Sequence, residues 1–422
     1  MMEKKIFTVA VIGAGARGAD VYSPLIADRK DEFEIVAVCD YNQDRLSAYG
    51  ERFGVKAENR FLDERDFFER KRADLLLVTT QDKDHVGHCL KGFALGYDIM
   101  TEKPLTDKRE ECEALLQAQK KYGGKALVCH VLRYAPAFLK VAELLNDGAI
   151  GQLVLIEALE RVAYWHQAHS YVRGNWRNTD VASPMILAKC CHDLDLIQYY
   201  AKSKCKSISS VGDLVHFKPE NQPIGGRERC ADCPHIDTCK YSFKKRYVEA
   251  WKAIGSPIDR WPYNVVTPAP VTEEKLYAAM QNSPYGRCVY RCDNNVVDHE
   301  FTMMTFENGI KATLTMTAFT AGSGRKYHFF GTEGELILDE MSNTITLHLF
   351  GREPQIIELE ALLEKGYGHG GGDYFLIESL YQTMLGNATS ETSLERSVES
   401  HLMGICAEES RLKGGELVYL HK

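Results

Sequence analysis

No run of 18 apolar residues occurs in this 422-residue chain, so no membrane-spanning helix is expected. The N-terminal stretch lacks a long apolar core with a cleavage site. No secretory leader is therefore expected, and the chain is read as cytoplasmic. An excess of positive charge is missing as well: 51 Lys and Arg stand against 59 Asp and Glu, a net charge of −8. That balance argues against a general affinity for nucleic-acid or membrane phosphates, which need a basic surface. Internal repeats and low-complexity tracts are absent, which excludes repeat architectures. Disulfides are not expected either, because in a reducing compartment the 13 cysteines are thiols or metal ligands. With 45% hydrophobic residues over 422 positions, the chain exceeds one typical core, and two or three domains are expected.

What the chain does have is an apolar strand, Val9-Ala-Val-Ile, running into Gly13-Ala-Gly15-Ala-Arg17-Gly18 and then a helix-like segment. In this Gly-x-Gly-x-x-Gly pattern Gly13 permits a tight turn, Gly15 lets the backbone approach a pyrophosphate, and Gly18 lets helix and strand pack closely. The phosphates would meet free N–H groups at the helix start. A second strand, Phe33–Asp40, ends in an acid 22 residues after Gly18, where a ribose-binding carboxylate is expected. Asp40 favours NAD over NADP, since a 2′-phosphate would meet a carboxylate, and Arg45 reads as a helix-surface arginine. Further strand-like runs at 74–80, 97–101 and 125–130 alternate with amphipathic segments at 84–95 and 106–122. That alternation predicts a doubly wound parallel sheet over residues 1–131.

From about residue 152 the pattern changes. Residues 153–160 read as a strand, a helix is expected from Ser183-Pro184 with the proline at its first position, and strands follow at 208–217 and 296–358. Asn308-Gly309 predicts a tight I′ hairpin turn. Residues 132–422 are thus read as a second domain, an open and mostly antiparallel sheet with helices on one face. Helices close the chain at 373–386 and 393–412, and a Pro-, Cys- and aromatic-rich insertion spans 218–290.

Glu102-Lys103-Pro104 stands at the end of the 97–101 strand. Together with the glycine loop, it resembles the Gfo/Idh/MocA family of sugar and cyclitol oxidoreductases. The resemblance implies that Glu102 and Lys103 lie beside the nicotinamide and that Lys103 reaches the reacting hydroxyl. It places the catalytic histidine in a His-x-x-Asp, matched by His192 and Asp195. The family's aspartate four residues before that histidine is absent: Ala188 stands there, with Lys189 beside it. On one continuous helix Lys189 would face His192 and Asp193, and His192 would face Asp195. A carboxylate-oriented histidine suits a proton acceptor. In the family's Thr-Pro-Asn-x-x-His, which lies along the dinucleotide, Thr80 and His85 match while Gln81 and Asp82 do not. The family also implies homo-oligomers, dimers or tetramers, through the sheet of the second domain.

Trp165, His166, His169, Arg173 and Trp176 follow the first strand of the second half. Aromatic faces beside multi-donor side chains suit a sugar. Arg133, Tyr134 and His369 are further candidates for the same cleft. In the insertion, Cys230-x-x-Cys233 with Cys239 has zinc-ligand spacing. Cys292 (or Cys288) is the best fourth ligand for a structural site, with His235 behind it, and an iron–sulfur cluster would use the same thiols. The expectation is an NAD-dependent oxidoreductase acting on a secondary hydroxyl of a small sugar or cyclitol. The alternatives are a hydrolase or lyase working through transient sugar oxidation, and a cofactor-binding regulator.

Overall fold

The computed structural model describes residues 5–255, 259–362 and 369–421; Met1–Lys4, ahead of the first strand, lie outside them. Six strands, β1 (Phe7–Ile12), β2 (Phe33–Cys39), β3 (Arg60–Phe61), β4 (Leu75–Val78), β5 (Asp98–Thr101) and β6 (Ala126–Val128), form one sheet in the order β3-β2-β1-β4-β5-β6. All its pairings are parallel. Val9–Ile12 and Leu75–Val78 are buried, as central parallel strands covered on both faces require. The helices Gln43–Phe53, His85–Ala94 and Arg109–Tyr122 supply crossovers. Strand order reverses between β1 and β4, which opens a crevice at their carboxyl ends. Two-residue β3 was not legible as a strand in the sequence.

The second sheet has nine strands: β7 (Leu153–Arg161), β8 (Cys205–Asp213), β9 (His299–Phe306), β10 (Lys311–Thr317), β11 (Gly324–Gly331), β12 (Gly334–Asp339), β13 (Thr344–Leu349), β14 (Gln355–Glu358) and β15 (Val418–Tyr419). Their order is β14-β13-β12-β11-β7-β10-β9-β8-β15. Only β7 and β10 run parallel among the described pairings. One face packs on helices through Ile156, Ala158, Leu314, Met316, Tyr327 and Phe329, while Val211, Phe301, Met303 and Ile356 stand exposed. The helix Gly372–Leu385 returns to the first sheet, where Leu376, Ile377 and Leu380 join its core.

Three local expectations are corrected. Between β9 and β10 only Gly309 has positive φ (93°), whereas a I′ turn needs it at two residues. Phe306 N–H donates to the Ile310 carbonyl at 2.9 Å, so the loop is the three residues 307–309 and not a two-residue turn. The helix expected from Ser183-Pro184 is broken in two, Met185–Ala188 and Cys191–Ala201; Pro184 caps the first from extended backbone and Cys190 caps the second. The insertion folds around its own core of Phe243, Tyr247, Val248, Trp251, Tyr263 and Leu276. Its Lys244–Glu249 segment is π-helical and leads directly into Ala250–Ile254, so it lacks the 3.6-residue period by which a helix is recognised.

Candidate functional site

The glycine loop is built around three different steric demands. A Cβ on Gly13, whose φ is +97°, would lie 2.5 Å from the Thr79 carbonyl oxygen; one on Gly18 would lie 2.2 Å from the Gly13 carbonyl oxygen. A Cβ on Gly15 would meet no atom within 4 Å. Gly15 has φ −81°, a value any residue adopts, so nothing within the fold demands glycine there. What it preserves is open space at the start of a helix, where a pyrophosphate would approach. The residues present therefore fit a dinucleotide: Gly13, Gly15 and Gly18 would hold the pyrophosphate and Asp40 the ribose. Gly15→Leu is expected to leave the melting temperature within about 2 °C, equivalent to less than about 2 kcal/mol for a chain this size. It should raise the dissociation constant for NAD at least about 100-fold, read by calorimetric titration, because an isobutyl group fills the approach. Unchanged affinity would remove the pyrophosphate from this loop.

Asp40 is buried, and its Oδ2 accepts the Ala14 N–H at 2.8 Å while Oδ1 accepts the Asn42 N–H at 2.8 Å. Arg45 is not merely a surface arginine: its Nη2 donates to Asp40 Oδ1 at 2.8 Å. Thr80 Oγ1 lies 3.0 Å from His88 Nδ1. His85 is turned away from the crevice and buried, its Nδ1 2.7 Å from the Pro104 carbonyl and Nε2 3.2 Å from the Thr80 carbonyl. It ties the β4 loop to the Glu-Lys-Pro loop and makes no face for a cofactor, a correction to its reading as a direct contact. Arg17 is likewise engaged by protein. Its Nε donates to Glu102 Oε1 at 2.6 Å, its Nη2 to Asp373 Oδ1 at 2.8 Å, and its guanidinium lies over the Tyr22 ring.

Glu102, fully buried beside Arg17 and Lys103, is held below the usual carboxylate range although burial alone would raise it. Its Oε2 accepts the Lys103 N–H at 3.0 Å, which pins the main chain of the loop that carries the amine. Lys103 Nζ donates at 3.3 Å to the Ala188 carbonyl, at the end of the short helix that precedes the His192 helix. His192 is buried with an unpartnered Nδ1. Burial, and then the nearby charges of Lys103 and Arg325 and the rings of His130 and His369, push its imidazole well below the ordinary 6.5. It is therefore neutral at pH 7, the state that can accept a proton. His369 stands at φ 50°, its ring 6.1 Å from that of His192 and its Nδ1 2.8 Å from Asp373.

The helix break changes the partners read from spacing. Lys189 no longer shares a helix face with His192 and Asp193; its Nζ pairs with Glu160 of β7 at 3.2 Å. Asp193 instead accepts from Arg325 Nε at 2.9 Å and from the Tyr327 hydroxyl at 2.8 Å. Asp195 does not orient His192. Its carboxylate is forked by Arg133, Nε at 2.6 Å and Nη2 at 2.7 Å. Arg133 is consequently spent on protein, also donating to the Glu391 carbonyl at 2.9 Å, and is no substrate contact. Tyr134 is buried with its hydroxyl 3.0 Å from Ser390 and 3.2 Å from Thr392. A residue missed in the sequence, His130, sits just beyond the carboxyl end of β6 between these groups. Both its ring nitrogens are buried without a hydrogen bond; Asp195 is 3.8 Å away and the His192 ring 6.0 Å. A polar residue directly after a parallel strand was the available signal.

Of the aromatic segment, only part faces the cleft. Arg173 is buried and holds the insertion, donating to the Arg287 carbonyl at 2.7 Å and the Tyr241 carbonyl at 3.0 Å. His169 is buried too, its Nδ1 2.8 Å from the Tyr247 hydroxyl and its ring stacked on Tyr285. Trp176 Nε1 donates to Asp82 Oδ1 at 3.2 Å, a bridge between the halves. Trp165 and His166 remain half-exposed.

The zinc expectation is corrected. Among the described residues no three His, Cys, Asp or Glu side chains stand as metal ligands, and all 13 cysteines are free. Cys230, Cys233, Cys239 and Cys288 border one small cavity, but they share it with the Arg173 guanidinium, itself a cation, 3.6 Å from Cys230 Sγ. Cys292 donates to the Cys288 carbonyl at 3.3 Å, and Cys288 Sγ accepts from Gln222 at 3.5 Å. The thiols pack this corner by hydrogen bonds.

A parallel sheet with a glycine loop at its switch point, and Glu102-Lys103 at the same end of the sheet, is the arrangement of NAD-binding oxidoreductases. Residues 7–130 match the family described as "Oxidoreductase family, NAD-binding Rossmann fold". That match places residues 7–130 with the NAD-binding half of Gfo/Idh/MocA proteins. It is similar to a putative oxidoreductase, YteT, of Bacillus subtilis, 23% identical over 391 residues that cover 88% of each chain. It is also 29% identical to inositol 2-dehydrogenase of Klebsiella pneumoniae over 201 residues, 47% of this chain and 56% of that one. Among solved structures, levoglucosan dehydrogenase in complex with NADH and levoglucosan superposes with a TM-score of 0.71 at 16% identity, covering 99% of this chain and all of that one. An oxidoreductase from Agrobacterium radiobacter in complex with NAD+, L-tartaric acid and magnesium gives 0.69 at 14% identity, covering 98% of each. No described helix is long and apolar enough to cross a membrane.

Proposed function

We propose that this protein oxidises a secondary hydroxyl of a sugar, sugar derivative or cyclitol with NAD. The observation that supports it is the reach of Lys103, from the carboxyl end of β5, into the second half: its Nζ donates to the Ala188 carbonyl at 3.3 Å, four residues before the buried His192. Bound NAD, held by the glycine loop and Asp40, would supply the hydride acceptor for the carbinol carbon. Lys103 donates to the carbinol oxygen and stabilises its developing negative charge. His192, neutral because it is buried among cations, receives the hydroxyl proton. Glu102 and Arg17 keep the Lys103 loop in place, and Asp373 orients His369 toward the His192 ring. The test is incubation of purified protein and NAD with free sugars, cyclitols, sugar acids and aryl glycosides. Stoichiometric NADH from at least one polyol supports the reading; release of an aglycone without net NADH would instead favour a redox-assisted glycosidase.

Preference for NAD over NADP rests on the Asp40 carboxylate, with Arg45 already neutralised by it. Asp40→Ser is expected to free Arg45 and to shift the NAD-to-NADP affinity ratio toward NADP at least tenfold, about 1.4 kcal/mol. An unchanged ratio would place the ribose elsewhere. The apolar, exposed face around Phe301 and Met303 is where self-association is proposed. Light scattering should give a dimer or tetramer, and Phe301→Lys with Met303→Lys should reduce it to a monomer.

A further inference from the structure

Trp165 and His166, just after β7, meet Trp261 of the insertion in an aromatic corner built by two distant segments. Burial, and then the charge of Lys189, hold the His166 imidazole well below its ordinary range. Trp165 stacks on His166 with ring centroids 5.6 Å apart. Trp261, contributed by the insertion almost a hundred residues later, meets the Trp165 ring at 5.6 Å and stands edge-on to His166 at 5.2 Å. It is nevertheless 41% exposed. The segment carrying it is anchored across the cleft, where Asn264 Nδ2 donates to Asp20 Oδ2 of the dinucleotide half at 3.2 Å. Arg246, from the same insertion, lies over the Trp165 ring at 4.8 Å.

An indole kept half in water, braced from behind and bordered by an imidazole with no protein hydrogen bond described, presents a flat apolar face next to polar groups. That combination suits a pyranose or aryl ring, whose C–H or π face stacks while its edge hydroxyls find donors. A free monosaccharide held between Lys103 and His192 would leave this corner vacant. We infer that Trp261, Trp165 and His166 form a second ring subsite, and that the substrate is a glycoside: the oxidised ring carries a further sugar or aryl ring. The inference rests on the proposed oxidoreductase site for the identity of the first ring, but its test by binding does not need turnover.

The experiment is calorimetric titration of NAD-loaded protein with matched pairs, each a free monosaccharide and its p-nitrophenyl glycoside or disaccharide, for the wild type and for Trp261→Ala. Thermal melting confirms that the variant folds. Ile224→Ser, fully exposed on the same insertion, serves as the control. The expected result is at least tenfold tighter binding of one glycoside over its monosaccharide, with that preference cut at least tenfold by Trp261→Ala and kept by Ile224→Ser. Equal affinity within every pair, no binding by any glycoside, or a preference that survives Trp261→Ala overturns the subsite. If NADH forms from monosaccharides in those cases, the oxidoreductase reading stands without it; if a glycoside binds through Trp261 but no compound yields NADH, that reading fails and the subsite remains.

Discussion

Lys103→Met is expected to lower kcat about 100- to 1,000-fold while NAD still binds with near wild-type affinity. Methionine keeps the length and apolar stem but removes the charge that the Lys103 amine brings to the Ala188 carbonyl and His192. Loss of a donor aimed at a developing oxyanion costs on that order, because the donor acts where charge appears and not where substrate is merely held. The Km should move much less than kcat. The fold has little reason to suffer, since the amine makes a single hydrogen bond, to the Ala188 carbonyl. Steady-state kinetics on any turned-over polyol, paired with NAD titration, reads both quantities. Near-normal turnover in this variant would remove Lys103 from the chemistry.

Acid should destabilise this protein more steeply than its carboxylates alone would. His130, His169, His192 and His401 are all buried. Burial holds each imidazole below its ordinary 6.5, with His169 and His401 down at about 3. Unfolded, the same four groups titrate near 6.5. Below that value the unfolded chain binds protons that the folded chain does not, so the stabilisation is full above about pH 7 and is lost as pH falls toward the folded values. Two buried acids oppose the trend. Burial pushes Glu300 up to about 7 and raises Asp193, so each keeps a proton when folded that it sheds when unfolded. Near pH 5.5 these offset about two of the four histidine protons. About two remain, equivalent to ~3 kcal/mol per pH unit. Because fewer protons separate the two states near pH 7, the fall between pH 7 and 5.5 comes to roughly 2–3 kcal/mol, large against a total stability of about 5–15 kcal/mol. Urea midpoints at the two pH values should show it, and coincident midpoints would mean that these rings are hydrated.

The first sheet was legible because its signals are local. Gly13 and Gly18 are each required by one steric fact, Gly15 keeps the approach open, and Val9–Ile12 and Leu75–Val78 are buried on both faces, so an apolar run is all a reader needs. Lys103 and His192 were found through a resemblance, since nothing in their own neighbourhoods distinguishes them from surface or core residues. Errors gathered where the backbone leaves regular geometry. The break at Lys189–Cys190 took Lys189 off the face of His192 and Asp193, while Asp195, on the same unbroken helix as His192, is held by Arg133 and Asp193 by Arg325. The π-helical stretch of the insertion hid an element whose period is not 3.6, and so hid how Trp261 is delivered to the cleft. Cysteine spacing suggested zinc where the fold places the Arg173 guanidinium among the same thiols. Spacing identifies which ligands are available, but it does not exclude an internal cation that reaches them first.

The most direct test is a crystal structure of the protein with NAD and a polyol that it turns over. Lys103 Nζ and a His192 ring nitrogen should both stand within about 3.5 Å of one hydroxyl oxygen, on a carbon facing C4 of the nicotinamide. A hydroxyl touched by only one of them, or a nicotinamide lying away from the β5 edge, would contradict the proposed chemistry.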